Sequence, residues 1–179
     1  MTSGALWALL WGDSGQYHEL RVGSATCWVP CVKRRPFVRL LTEPDVSVSM
    51  VPRTDRHPLA LGQAWVLWAR LERPACGAAL ARLPIGPTLV VRDGRSSRRW
   101  ALWSLSRPLR GDWITQANER LAYALKGRRG AADASSLLPS PFSPGKAFVE
   151  YESSNVYAPR EIVGRLKDAP AADGWRAAA

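Results

Sequence analysis

Apolar and polar residues repeat along this chain in two periods. Strict two-residue alternation in Val46-Ser47-Val48-Ser49-Met50-Val51 predicts a half-buried strand. Residues 17–22 predict another, with His18, Leu20 and Val22 on one face. Residues 65–71 are almost continuously apolar, the pattern of a strand covered on both faces and central in its sheet. Residues 27–32 and 37–41 are further apolar runs, separated by the basic turn Lys33-Arg34-Arg35-Pro36. Residues 88–91 and 100–105 form a hairpin joined across Arg92 to Arg99, and 147–151 a last strand.

The helical period appears in four places. Leu6, Leu9 and Leu10, with Trp7 nearby, make a short amphipathic helix stopped by Gly12 and Gly15. Cys76, Ala79, Leu80 and Leu83 define a second, ended by Pro84-Ile85-Gly86-Pro87. Ile114, Ala117, Leu121, Ala124 and Leu125 define the best helix, with Asp112 as N-cap and Gly127 as stop. Pro159 opens a last helix to about Leu166. Residues 53–61 form a loop, and the Ala-, Ser- and Pro-rich stretch 130–145 is irregular. Together these elements predict an α+β fold, with a central mixed sheet flanked by helices. Residues 1–168 form one domain, and the Ala-rich 169–179 a disordered tail.

Charge narrows the partners. Lys and Arg number 25 against 15 acidic residues, a net charge of +10 over 179 residues. That balance favours a polyanion, foremost nucleic acid. Arg exceeds Lys by 21 to 4, which suits bidentate phosphate contacts; an Arg-rich proteome gives the same bias. Cys27, Cys31 and Cys76 are too few for a disulfide scaffold and lack the second pair of a zinc ribbon. The apolar stretch 5–11 is too short to cross a bilayer. The expectation is a cytoplasmic protein with no membrane partner.

Arg92, Arg95, Arg98, Arg99, Arg107 and Arg110 place six cations within 19 residues, opposed only by Asp93. On a hairpin they can track a phosphate backbone, or simply be a solvated basic loop. Trp100 and Trp103 fall on opposite faces of one strand, so that either can be core and the other free to stack on a base.

In order, several segments resemble the primase-polymerase domain of the archaeo-eukaryotic primase superfamily, in its phage and plasmid replication branch. Leu6-Trp7-Ala8-Leu9-Leu10-Trp11-Gly12 and Tyr17-His18-Glu19-Leu20-Arg21 resemble its first helix and a strand ending in Leu-Arg. Ser49-Met50-Val51-Pro52-Arg53 resembles the strand closing in Pro-Arg. Residues 65–72 fall where that superfamily keeps Trp-x-Asp-x-Asp, and residues 89–105 where it keeps Ser-Gly-x-Gly-x-His and Tyr-Trp-x-Leu. Asn118-Glu119-Arg120-Leu121-Ala122 and residues 137–146 resemble its late helix and Arg-x-Pro-Gly-Thr segment. The likeness spans roughly residues 5 to 167.

This chain departs from the pattern at the catalytic positions. Arg70 and Glu72 replace the two metal-binding aspartates, and Trp100 the nucleotide-binding histidine. Arg128 stands where Gly-Asp supplies a third carboxylate, and Pro139 where the late segment has Arg. One carboxylate beside a guanidinium does not hold two divalent cations. The resemblance also places Arg21 and Arg53 near the cleft, to meet template or nucleotide phosphate; salt bridges to Glu19 or Asp55 are their structural alternative. Three readings stay open. The first is a catalytically inactive primase-like protein that binds DNA, of unknown strandedness, or a replication partner such as a helicase or polymerase. The second is an active enzyme with a rearranged site, the only case that calls for Mg or Mn as cofactor. The third is a protein-interaction module modulating a replication enzyme.

Overall fold

The computed structural model describes residues 11, 16–94, 96–127, 132–145 and 147–166. The first predicted helix (Trp11 apart) and the 169–179 tail lie outside them. Along the described residues run β1 (Tyr17–Val22), β2 (Ala25–Pro30), α1 (Arg34–Leu41), β3 (Val46–Ser49), β4 (Gln63–Leu71) and α2 (Pro74–Arg82). β5 (Leu89–Asp93), β6 (Arg99–Arg110), α3 (Gly111–Ala124), β7 (Leu137–Pro139), β8 (Ala147–Glu152), β9 (Val156–Tyr157) and α4 (Pro159–Arg165) follow. The fold is α+β, and one hydrophobic core runs through it as a single domain.

The single mixed sheet expected from the pattern is two sheets. Four antiparallel strands order as β2-β1-β3-β7; the second sheet orders as β4-β6-β5-β8, with β9 parallel to β6 beyond the end of β5. β4 is therefore the end strand of its sheet and does not lie beside β1 or β3. Its apolar character reports covered faces, and a helix covers its outer edge. Asn118 on α3 accepts a hydrogen bond from the Trp68 backbone N–H at 2.9 Å and donates to the Ala132 carbonyl at 3.2 Å. An edge N–H that another strand would have satisfied is satisfied by a side chain instead.

Four local expectations also change. The basic turn Lys33–Pro36 is the start of α1, whose buried Phe37 and Leu41 face the first sheet. α3 begins at Gly111, so that Asp112 lies inside its first turn and Arg110 holds the cap position. The left-handed residue that ends α3 is Lys126, at φ 56°, not Gly127. Lys126 N–H donates to Tyr123 O and Gly127 N–H to Ala122 O, the paired bonds of a Schellman ending. Gly127 is required for a different reason, because a Cβ there would come within 2.9 Å of the Arg70 carbonyl. Within the stretch read as irregular, β7 pairs with β3. Ser140 and Ser143 donate their hydroxyls to the carbonyls of Leu41 and Glu43 and so hold this segment to the end of α1.

Candidate functional site

The hairpin of β5 and β6 forms as its apolar runs predict, with Arg92 opposite Arg99. Cross-strand register then decides which charges meet. Arg70 of β4 is directly opposite Trp100 of β6, while the next rung aligns Leu71, Arg99, Arg92 and Phe148 across four strands. Adjacent rungs face opposite sides of a sheet. The arginines that crowd together in sequence are therefore divided between the two faces.

On one face the Arg70 guanidinium lies 5.8 Å from the Trp100 ring centroid and forms an ion pair with Glu72. Arg98 approaches the same Glu72 oxygen at 3.9 Å. Three of the positions aligned with catalytic residues, Arg70, Glu72 and Trp100, are thus in one cluster. Arg128 lies outside the described residues, although Gly127 before it comes up against Arg70, and Pro139 is on β7 in the other sheet. On the opposite face Arg92 and Arg99 hold the two oxygens of Glu150, at 2.9 and 2.5 Å, and Arg92 lies 4.9 Å over the Phe148 ring. Beside this second cluster a groove of about 440 Å³ runs between α2 and the sheet, lined by Leu71, Leu80, Val90, Arg99, Glu150 and Tyr151 among others. Neither Glu150 nor Phe148 stands out in the sequence. A shift in the β5–β8 register between Val90 and Val91 sets their position, and no local pattern announces it.

Among the described residues, Arg21, Arg53, Arg107 and Arg110 do not join either cluster. Arg110 pairs with Gln63 and Arg99 with Leu71, so eight strand steps of about 3.3 Å separate them, roughly 26 Å. Arg107 lies on the stretch where β6 bulges out from β4 between Ser104 and Leu109, beside Pro108. Both are exposed at the far end of β6. Arg21 is exposed on β1 in the other sheet, opposite Thr26 and Ser47. Arg95 lies outside the described residues.

Arg53 is fully buried and does not reach a phosphate-accessible surface. Its Nε and Nη2 donate to Glu19 at 2.9 and 2.7 Å, and Nη1 and Nη2 to the carbonyls of Ala134 and Ser135. Burial lowers its pKa, and the hydrogen bond and charge of Glu19 oppose that shift. It ties the 132–136 segment to the first sheet. Trp100 and Trp103 are both core, since the strand is covered on both faces where they lie; Trp103 also donates its indole N–H to Ile85 O at 3.2 Å. Neither offers a ring for base stacking. In the first sheet His18 is buried, stacked on Phe37 at 3.9 Å, and burial pushes its pKa down to about 4.

No family model and no curated protein matches this sequence. Solved structures do match. The AEP domain of the cyanophage S-2L primase-polymerase superposes with a TM-score of 0.67 at 12% identity, over 90% of this chain and 95% of that one. The catalytic domain of primase RepB', in complex with initiator DNA, gives 0.60 at 12% identity over 92% and 90%. A second RepB' structure gives 0.61 at 10% identity, over 92% of this chain and 60% of that chain. The chain has a primase-polymerase-like fold, in line with the order of its sequence motifs. Among the described residues no helix is long and apolar enough to cross a membrane.

Proposed function

We propose that this chain is a non-polymerising member of the primase-polymerase fold that binds nucleic acid. The carrying observation is the ion pair of Arg70 with Glu72 on the strand where the resemblance expects two metal-binding aspartates. The residues present do not fit a pair of divalent cations. The single carboxylate is already engaged by one guanidinium and approached by a second, and added cations would meet both charges. No nucleotidyl-transfer step is therefore assigned to this cluster. A net charge of +10 and the exposed Arg98 and Arg99 support a polyanionic partner, and the RepB' domain of similar fold was solved with initiator DNA.

Two measurements test this reading. Primer extension in magnesium or manganese is expected to stay at the level of an Arg70→Ala control; incorporation above that level returns the active-enzyme reading. Fluorescence anisotropy with labelled DNA is expected to show affinity that falls linearly in log–log against salt, with roughly 0.7–0.9 of slope per phosphate contact. The competing reading is an interaction module. It is favoured by β8, the last strand of its sheet's order, which exposes Phe148, Val149 and Tyr151. Such an edge suits an added peptide strand, whose binding depends little on salt. Absence of DNA binding even at low salt makes that module the better account.

A further inference from the structure

We infer that Arg70 and Arg98 form a metal-independent phosphate site in which the Glu72 carboxylate is the resident anion, displaced when a nucleic-acid or nucleotide phosphate binds. The inference rests on the nucleic-acid reading above and adds to it a location and a mode.

A carboxylate and a phosphate present similar paired oxygens to guanidinium, which is why arginine binds both. Glu72 offers one oxygen to Arg70 and the same oxygen to Arg98. The first contact is a hydrogen bond; the second, at 3.9 Å, is a charge contact only. Glu72 lies one residue beyond the end of β4, with the extended Arg73 and the start of α2 behind it. Its side chain, 15% exposed, therefore lies outside the sheet ladder. Arg70 is on the strand itself, with its cation against the Trp100 ring across the ladder. Arg98, 56% exposed in its side chain, opens the cluster to solvent.

Charge favours exchange over addition. A phosphodiester replacing the carboxylate substitutes one monoanion for another between two partly desolvated cations, so no new net charge is created there. Released Glu72 regains its hydration. A divalent cation at the same place would instead add charge of the wrong sign beside two guanidinium groups.

The matching cluster on the opposite face supplies an internal control. Glu72→Gln and Glu150→Gln each remove one negative charge between two arginines, so they change net charge equally. With a fluorescein-labelled oligo(dT) in EDTA at fixed low salt, Glu72→Gln is expected to bind roughly three- to tenfold more tightly than wild type. Glu150→Gln is expected to stay within about twofold. Arg98→Ala in the Glu72→Gln background is expected to remove the gain, and Glu72→Ala to reproduce it should the Gln variant lose thermal stability. Unlabelled ATP as competitor separates the sources of phosphate. Displacement assigns the site to free nucleotide, and no displacement to the strand backbone. Equal tightening by Glu72→Gln and Glu150→Gln, or loss of the Glu72→Gln gain in EDTA relative to manganese, overturns the site while leaving nucleic-acid binding in place. Binding by none of the variants, wild type included, sinks both.

Discussion

Arg53 and Glu19 in the first sheet have side chains 0% and 5% exposed, whereas Arg92, Arg99 and Glu150 in the second are 39%, 49% and 31% exposed. The chemistry is the same, and the surroundings give it different roles. In the first sheet the guanidinium donates to a carboxylate and two carbonyls, and removing either charged partner leaves a buried charge. In the second the charges are screened by water and contribute little to stability. Burial, not residue type, separates a structural arginine from a water-screened one.

The largest effect expected from that contrast is at Arg53. Arg53→Ala should destabilise the fold by about 3–5 kcal/mol in urea unfolding, because Glu19 is left buried and uncompensated. The paired change Glu19→Leu with Arg53→Met should recover most of the loss. A single-variant loss below about 1 kcal/mol would erase the distinction between the sheets.

Next comes pH, again through the first sheet. His18 has a native pKa of about 4 against the ordinary 6.5. The unfolded chain therefore takes up a proton that the folded chain refuses as pH falls below 6.5. Stability present above that value is lost progressively down to pH 4, by roughly 3 kcal/mol. His18→Phe, which keeps a ring against Phe37, should flatten this part of the profile; an unchanged slope would assign it to other groups.

Smaller effects belong to the second sheet. Replacing Arg98 and Arg99 together by Ala should lower the salt slope of DNA binding by about 1–2, with the circular dichroism spectrum unchanged. An equal reduction from Arg107→Ala with Arg110→Ala, at the other end of β6, would argue for a diffuse basic surface instead. Least of all, Arg99→Ala alone should change unfolding free energy by less than about 1 kcal/mol, as exposed ion pairs do.

Local pattern made much of this molecule legible. The alternation at 46–51 and 17–22, the hairpin over 88–105 and the helical spacing at 114–125 each produce the element they predict, because side-chain period follows from backbone geometry alone. The order of motifs pointed to the primase-polymerase fold that the solved structures share. Charge composition and the presence of arginine at position 70 could also be read directly. Strand partnership could not. The apolar run of β4 records covered faces, and whether a strand or the Asn118 amide meets its edge depends on a segment some fifty residues away. The division of the arginines could not be read either, since it needs the register of β4, β6, β5 and β8 together. Arg53 and Arg98 look alike in the sequence as basic residues near predicted strand ends. Tertiary structure alone put one in the core and the other in water, because burial is a property of everything that packs around a residue rather than of its neighbours along the chain.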